Sequence, residues 1–319
     1  MAGHRQYLPE GVIPAALLPF HEDLAIDEAS FRGHLLELAA VDGVTAVTIN
    51  AHASEVASCT FDEQRRVLEI ARDEIGARTP LVNGIYADGS LEAARLARMA
   101  TDGGASALLV FPPGICTFGQ RPEMAVEHFR RIAEASDLPL ILFQYPPSGG
   151  QGYPLATLMR VIEAVPSVRA IKDWSAAPQL HERQVRALQS LKPPVTVLST
   201  HSGWLMSSLV LGCRGLLSGS GSVIADLHAQ LFRAVQAGDL ARAREVNDRI
   251  WPTAEVFYAE PWVDMHNRMK EALVLLGRLP RAVVRPPLVK IPEAEIERIR
   301  KALVAAGLLA DSPRARRAA

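Results

Sequence analysis

The chain has 319 residues, 49% of them hydrophobic, and a formal net charge of -1 at pH 7. Such an apolar fraction excludes a disordered chain, and the balanced charge offers no basic surface for a nucleic acid or a membrane. The N-terminal segment lacks the apolar run of a signal peptide, and no stretch reaches about 18 consecutive apolar residues, so we expect a cytoplasmic protein. The cysteines are odd in number and widely spaced, which argues against a disulfide framework and a zinc site. They are Cys59, Cys116 and Cys213.

Short β-prone runs alternate with longer segments of helical period along most of the chain. The eight predicted strands are apolar on both faces, as parallel strands covered by helices are. They are Val12–Leu18, Ala46–Asn50, Pro80–Ile85, Ala107–Phe111, Leu140–Phe143, Val168–Lys172, Thr196–Ser199 and Gly215–Ser218. Eight strand–helix units predict a closed (β/α)8 TIM barrel. An open doubly wound sheet is the second choice, because no G-x-G-x-x-G turn follows the first strand.

The helical segments carry recognisable start and stop signals. Thr60 and Glu63 have the spacing of a capping box at a helix start, and Gly103 follows the last residue of a helical segment. Helical segments continue after the eighth unit, without a Ser/Gly linker. We therefore predict a barrel over residues 1–225, a C-terminal helical extension over residues 226–310 and a disordered tail over residues 311–319.

Lys172 is the leading candidate for chemistry. The active site of a TIM barrel lies at the carboxyl ends of its strands, and Lys172 ends the apolar run Val168–Ile171. A lysine that enters an apolar barrel loses hydration, so its pKa falls and the neutral amine can attack a carbonyl to form a Schiff base. Two other interpretations stay open: a strand-end lysine paired with Asp173, or a lysine that only binds an anion.

Several segments also match a known pattern in order and spacing. Gly11–Phe20 ends in a Pro-Phe pair, Glu55 precedes a Thr-x-Asp-Glu helix start at Thr60, and Ala170–Asp173 reads Ala-Ile-Lys-Asp. With these segments the chain resembles the dihydrodipicolinate synthase and N-acetylneuraminate lyase family over most of its length. The resemblance implies a barrel with a helical C-terminal extension, usually tetrameric, that uses Lys172 as Schiff-base nucleophile and needs no metal or organic cofactor.

The second loop departs from that family. There it reads Gly-Thr-Thr-Gly-Glu, and its hydroxyls bind the substrate carboxylate, whereas residues 51–55 here read Ala-His-Ala-Ser-Glu. His52 and Ser54, with Ala53 between them, could still bind substrate from different positions. His52 has two interpretations: a general base or carboxylate donor, or a structural histidine under the barrel rim. Glu55 has no obvious cation beside it, and we expect it to hold its loop by accepting backbone N–H bonds.

The fifth strand departs as well. The family's proton-relaying tyrosine corresponds to Phe143, and Tyr145 lies two residues on, on the same face of an ideal strand. Tyr145 is therefore a proton relay, a substrate contact or a rim aromatic. The family's second tyrosine corresponds to a position near Gly114. Pro147–Gly150 stands where the lysine-synthesis member carries an arginine. We predict a divergent member that is not a dihydrodipicolinate synthase.

Other strand ends supply binding candidates. We predict that Phe143 and Gln144 contact the substrate, and that Gly219 opens a turn whose backbone N–H groups favour an anion. His201, after the seventh strand, contacts a polar substrate tail or is a solvated loop histidine.

These observations predict a class I, Schiff-base-forming lyase, an aldolase or dehydratase. Its substrate would be a small 2-oxo or hydroxy acid, which could be derived from a sugar. Lys172 would be the nucleophile and Tyr145 or His52 the proton carrier. The alternative is a catalytically silent barrel that binds a small acid as a sensor or regulatory protein. Either protein would be a homo-oligomer, a tetramer or a dimer.

Overall fold

The structure, a computed structural model, describes residues 7–310, and the predicted tail at 311–319 lies outside that range. Eight parallel strands form one sheet, in the order β1-β8-β7-β6-β5-β4-β3-β2. The strands are β1 Gly11–Pro14, β2 Val47–Ile49, β3 Leu81–Ile85, β4 Ala107–Val110, β5 Leu140–Gln144, β6 Val168–Asp173, β7 Thr196–Ser199 and β8 Gly215–Ser218. Each overlaps a strand predicted from the sequence.

The barrel closes between β1 and β2. Thr45 N donates to Val12 O at 2.9 Å and Ala16 N donates to Thr48 O at 2.8 Å. The molecule is therefore a (β/α)8 TIM barrel, and the carboxyl ends of all eight strands meet at one mouth. The first strand is shorter than predicted. Beyond Ala16 the buried chain leaves the ladder, and Leu17 N donates to Ser222 Oγ at 3.0 Å instead.

Helices follow the strands and cover the outside of the barrel. They are α1 Glu28–Ala40, α2 Phe61–Glu74, α3 Ser90–Asp102, α4 Pro122–Ala135, α5 Leu155–Ala164, α6 Pro178–Gln189, α7 Leu205–Val210 and α8 Gly221–Gln236. The capping box that the sequence predicts at the start of α2 is confirmed, because Thr60 N donates to Glu63 Oε2 at 2.8 Å and Glu63 N donates to Thr60 Oγ1 at 3.2 Å. Two side chains thus satisfy backbone donors that a helix start leaves open.

Three helices follow the barrel: α9 Leu240–Phe257, α10 Met265–Leu275 and α11 Glu293–Ala305. The predicted boundary at residue 225 falls inside α8, next to Ile224, whose backbone angles are not helical. Helix α10 packs against the loop at residues 52–54, so the C-terminal helices reach the mouth of the barrel. Over residues 7–310, no helix is both long enough and apolar enough to cross a membrane.

Candidate active site

A cavity of about 290 Å³ opens at the carboxyl ends of the strands. Its walls come from strands β5 and β6, from the segments after β1, β2, β6, β7 and β8, and from the C-terminal helical region. It is lined by Ala15, His52, Ala53, Phe143, Lys172, Trp174, Ala176, Thr200, His201, Ser202, Gly203, Trp204, Gly219, Tyr258, Trp262, Met265 and Met269. A second cavity, of about 370 Å³, includes Val168 at the start of β6 and therefore lies at the opposite end of the barrel. The first cavity is the candidate site although the second is larger, because active sites of TIM barrels lie at the carboxyl ends of the strands.

Lys172 enters this cavity from β6. It pairs with Phe143 of β5, and its Nζ lies 4.0 Å from the centre of the Phe143 ring. The side chain is buried, and within residues 7–310 its ammonium forms no ion pair or hydrogen bond. Burial lowers the pKa of Lys172 from 10.5 to about 7. A substantial fraction of the amine is therefore neutral at neutral pH, as nucleophilic attack on a carbonyl requires.

Asp173 does not pair with Lys172, so that interpretation of the sequence is wrong. Consecutive strand residues face opposite ways, and Asp173 faces α6, where its Oδ2 lies 2.6 Å from His181 Nδ1. Its Oδ1 accepts a hydrogen bond from Ser175 N at 2.7 Å. Burial opposes ionisation of Asp173, but the neighbouring imidazoles of His181 and His201 outweigh it and hold the pKa of Asp173 below its usual value. Lys172 is therefore free of its neighbour's charge.

Asp173, His181 and His201 form a buried cluster behind the cavity. One potential ligand atom from each lies within 4.8 Å of the other two, a spacing that could hold a metal ion. No local sequence motif reveals this cluster, because its members come from β6, α6 and the loop after β7. In the structure the Asp173–His181 hydrogen bond already satisfies two of the three groups.

His52 lines the cavity, and Tyr145, which is not among the lining residues, lies directly behind it. His52 Nε2 and the Tyr145 hydroxyl are hydrogen-bonded partners. Burial, and next the positive charge of Lys172, lower the pKa of His52 to about 3, so its imidazole is neutral. Burial, with a smaller effect of Tyr86, raises the pKa of Tyr145 well above 10. The pair can pass a proton between phenol and imidazole without either group starting as an ion.

Two predicted binding residues lie outside the cavity lining. Ser54 is fully buried, and its hydroxyl donates to Ala16 O at 2.8 Å. Gln144 is also fully buried; its amide donates to Tyr153 O at 2.7 Å and accepts from Tyr153 N at 3.0 Å. Both side chains use their polar atoms to hold loop backbone. The sequence identified the right loops, but not which way these side chains face.

Ala53 and Gly219 both line the cavity, where they lie close to each other. A Cβ built on Gly219 would stand 3.8 Å from Ala53 Cβ and 3.4 Å from the Tyr258 hydroxyl. The Tyr258 hydroxyl accepts a hydrogen bond from Ser220 N at 3.1 Å. Because Ala53 and Gly219 are small, they leave a gap in this part of the cavity. The Tyr258 phenol and the start of α8 border that gap.

His201 also lines the cavity and is only 4% exposed, so the interpretation as a solvated loop histidine is wrong. Its ring lies against Trp204, with 4.1 Å between ring centres and 33° between planes. Its Nε2 lies 3.7 Å from Asp173 Oδ1. Burial lowers the pKa of His201, although Asp173 opposes this, so the ring is held largely neutral.

Glu55 has the structural role that we predicted, accepting a hydrogen bond from Arg285 N at 3.0 Å. The expectation that it lacks a cation is wrong, because the Lys270 ammonium of α10 forms a buried ion pair with its other oxygen. Lys270 also donates to Val283 O at 2.7 Å. Sequence reasoning missed the pair because 215 residues separate its members.

Cavity residues from the C-terminal helices were missed for the same reason. The sequence predicts the site at the strand ends, whereas four lining residues follow the barrel: Tyr258, Trp262, Met265 and Met269. Trp204 directly follows the loop after β7 and could have been found from that position.

A profile of the dihydrodipicolinate synthetase family matches residues 8–306. This chain belongs to that family. The 4-hydroxy-tetrahydrodipicolinate synthase of Gluconacetobacter diazotrophicus is 30% identical over 302 residues, which cover 94% of this chain and 98% of the relative. The synthase of the same name from Methanopyrus kandleri is 29% identical and covers 94% of this chain and 97% of its own length. Family membership supports the assignment of the chain as an enzyme of the lyase class.

Solved structures of the family share the fold. The dihydrodipicolinate synthase of Thermotoga maritima aligns with a TM-score of 0.87 at 23% identity, over 95% of this chain and 100% of that one. The prophage protein YagE of E. coli K12, solved in complex with pyruvate, gives the same values. The family fold is thus retained at low identity.

Proposed function

We propose that this protein is a class I aldolase or dehydratase that captures a small 2-oxo acid as a Schiff base on Lys172. The observation that carries the proposal is a buried lysine in a barrel-mouth cavity, without a counter-ion among residues 7–310 and with a pKa of about 7. A buried lysine whose only role was to bind an anion would need to keep its proton, and burial favours the opposite.

The first step is attack of the neutral Lys172 amine on the ketone carbon. The carbinolamine then loses its hydroxyl as water, which requires a proton on the leaving oxygen. The Tyr145 phenol supplies that proton and recovers one through His52, its hydrogen-bonded partner. The iminium withdraws electrons from the adjacent carbon, so a bond there can break or form, and water then releases the product and regenerates the amine.

The substrate carboxylate is proposed to lie in the gap beside Gly219, next to Ala53. The family's two threonines are absent, and the Ser54 hydroxyl is committed to Ala16 O. The Tyr258 hydroxyl borders the gap, 3.4 Å from the position of a Cβ on Gly219. The Tyr258 hydroxyl accepts from Ser220 N and keeps its own proton to donate, so it would replace the hydroxyls of the family loop, and a protonated Lys172 would add attraction before imine formation.

The proposed reaction differs from that of the relatives named as synthases. The stretch Pro147–Gly150 offers no arginine for a second carboxylate, and His52 occupies the position of a family threonine. Both differences fall on parts of the site that contact substrate in the family pattern. We therefore propose a 2-oxo acid lyase with another partner substrate, and a homo-oligomer as its working form.

Borohydride reduction in the presence of pyruvate and other 2-oxo acids tests the proposal, with mass spectrometry of peptides as the readout. A reduced adduct on Lys172 is the expected result. Lys301→Met, which removes an exposed lysine of α11, is the matched control and should leave the adduct unchanged. Tight binding of an acid without any adduct would instead indicate a silent binding protein. Full activity of Lys172→Arg would indicate that the lysine only binds an anion.

A further inference from the structure

The tryptophans are concentrated at the candidate site. The chain has four, and three of them, Trp174, Trp204 and Trp262, line the Lys172 cavity. Met265 and Met269 continue the same side. We call these five residues the indole wall. Ligand sites combine aromatic walls with a few placed polar groups, so such a concentration identifies the wall as a contact surface for part of a ligand.

The wall is fixed in place by ring contacts. The centres of the Trp174 and Trp262 rings lie 5.4 Å apart, and Trp174 lies 5.5 Å from the ring of Tyr145. Trp204 packs against His201. Each indole therefore packs against a neighbouring ring that restricts its rotation, while another part of the indole lines the cavity. Trp262, the outermost, is 45% exposed despite its size.

The chemistry of the wall selects among substrates. A polyhydroxylated or charged group placed here would lose hydration and find only indole N–H donors and thioether sulfurs as partners. A flat apolar group would instead bury its own surface and that of the indoles. His52 lies close enough to Lys172 for the lysine charge to lower its pKa, and it can serve the 2-oxo acid end.

We propose that the indole wall is a subsite for an aromatic group, and that the enzyme reversibly joins a 2-oxo acid to an aromatic aldehyde. This rests on the proposed Schiff-base function. The pyruvate imine of Lys172 loses a methyl proton to give an enamine, whose carbon attacks the aldehyde carbon. One carbon–carbon bond forms, the aldehyde oxygen takes up a proton, and water cleaves the iminium. The products are a 4-aryl-4-hydroxy-2-oxo acid and free Lys172.

The test compares benzaldehyde with glyceraldehyde as partners of pyruvate, by chromatography of the condensation products. We expect kcat/KM for benzaldehyde to exceed that for glyceraldehyde by at least about tenfold. Trp262→Ala should lower the benzaldehyde value about tenfold more than the glyceraldehyde value, a difference that corresponds to about 1.4 kcal/mol. Trp262→Phe, which keeps a ring, should retain most of the preference.

Trp251→Ala is the matched control, because Trp251 is exposed to a similar extent, 48%, and does not line the cavity. A wild-type preference for glyceraldehyde, or equal losses in Trp262→Ala and Trp251→Ala, would overturn the subsite. The wild-type preference alone decides the question if a variant fails to fold. A pyruvate adduct on Lys172 without aryl preference would refute the subsite only, whereas absence of any 2-oxo acid adduct would refute the Schiff-base function itself.

Discussion

Lys172 Nζ lies 4.0 Å from the centre of the Phe143 ring, on neighbouring strands of the barrel interior. The ring faces the amine with its π surface, which can attract the protonated form, yet burial dominates and lowers the pKa of Lys172 to about 7. Aromatic contact and dehydration thus leave the amine poised between its two protonation states at neutral pH.

The rate of adduct formation should therefore depend on pH through this one amine. Below about pH 7 the rate should fall about tenfold per pH unit, because only the neutral amine attacks, and above pH 7 it should level off. His52, with a pKa of about 3, does not change charge in this window. Borohydride-quenched time courses between pH 5.5 and 9, read by mass spectrometry, measure the profile. A rate that still climbs steeply at pH 9 would contradict the lowered pKa.

Lys172→Met should stabilise the fold while abolishing adduct formation. The folded protein holds an amine whose pKa is about 7 instead of 10.5, and at about 1.4 kcal/mol per unit this opposes folding by up to about 5 kcal/mol at pH 7. Between pH 7 and 10.5 the unfolded chain still binds the proton that the folded one has released. The wild type should therefore gain stability with rising pH, and the advantage of the variant should shrink. Chemical denaturation at pH 7 and pH 10 measures both values; an equal difference at the two pH values would refute this.

Tyr145→Phe should slow formation of the Schiff base with the 2-oxo acid, and turnover with it, without abolishing the adduct. Removal of the hydroxyl breaks the hydrogen bond to His52, and loss of an acid–base group typically costs about 10²–10⁴-fold in rate. His52→Gln should give a similar loss, and the double variant should lose little more, because the two residues act as a unit. Steady-state kinetics and borohydride trapping measure the two steps separately.

Tyr86→Phe is the control for that series. The Tyr86 ring lies 5.8 Å from that of His52, so this variant removes a neighbouring phenol outside the relay. Fully additive losses in the double variant would show that Tyr145 and His52 act independently.

Gly219→Ala should weaken substrate binding selectively. The new methyl group would stand 3.4 Å from the Tyr258 hydroxyl and 3.8 Å from Ala53 Cβ, contacts that the fold tolerates, but it would fill the proposed carboxylate position. We expect KM for a 2-oxo acid to rise at least about tenfold with a smaller change in kcat. Gly89→Ala, where an added Cβ meets nothing within 4 Å, is the matched control. An unchanged KM would place the carboxylate elsewhere.

Lys270→Met should destabilise the protein strongly. It leaves the Glu55 carboxylate buried without its cation, and breaking a buried pair typically costs about 3–5 kcal/mol. Glu55→Gln combined with Lys270→Met should restore much of the loss, because no charge is then left unpaired. Thermal and denaturant unfolding of the three variants measure this. A double variant as unstable as Lys270→Met would show that the lysine stabilises through packing instead.

The barrel and the position of Lys172 follow from local features of the sequence, namely apolar runs, caps and the strand end. The parts that could not be predicted depend on distant contacts or on side-chain direction. Ser54 lies on the expected loop and Gln144 at the expected strand end, but their polar atoms bond to Ala16 and Tyr153. Nothing local to either residue specifies those partners, whereas Lys172 needs only strand alternation to reach the interior.

The buried pair of Glu55 with Lys270 makes the order of synthesis matter for activity. The ribosome synthesises Glu55 and Lys172 well before Lys270. The emerging chain can therefore begin to assemble its barrel while Glu55, in the loop at residues 51–55, still lacks its ion-pair partner. A fragment that stops after α8 would carry the nucleophile but not the cation, the Tyr258 phenol or Trp262. The candidate site is therefore complete only after the helices that follow the barrel have been synthesised.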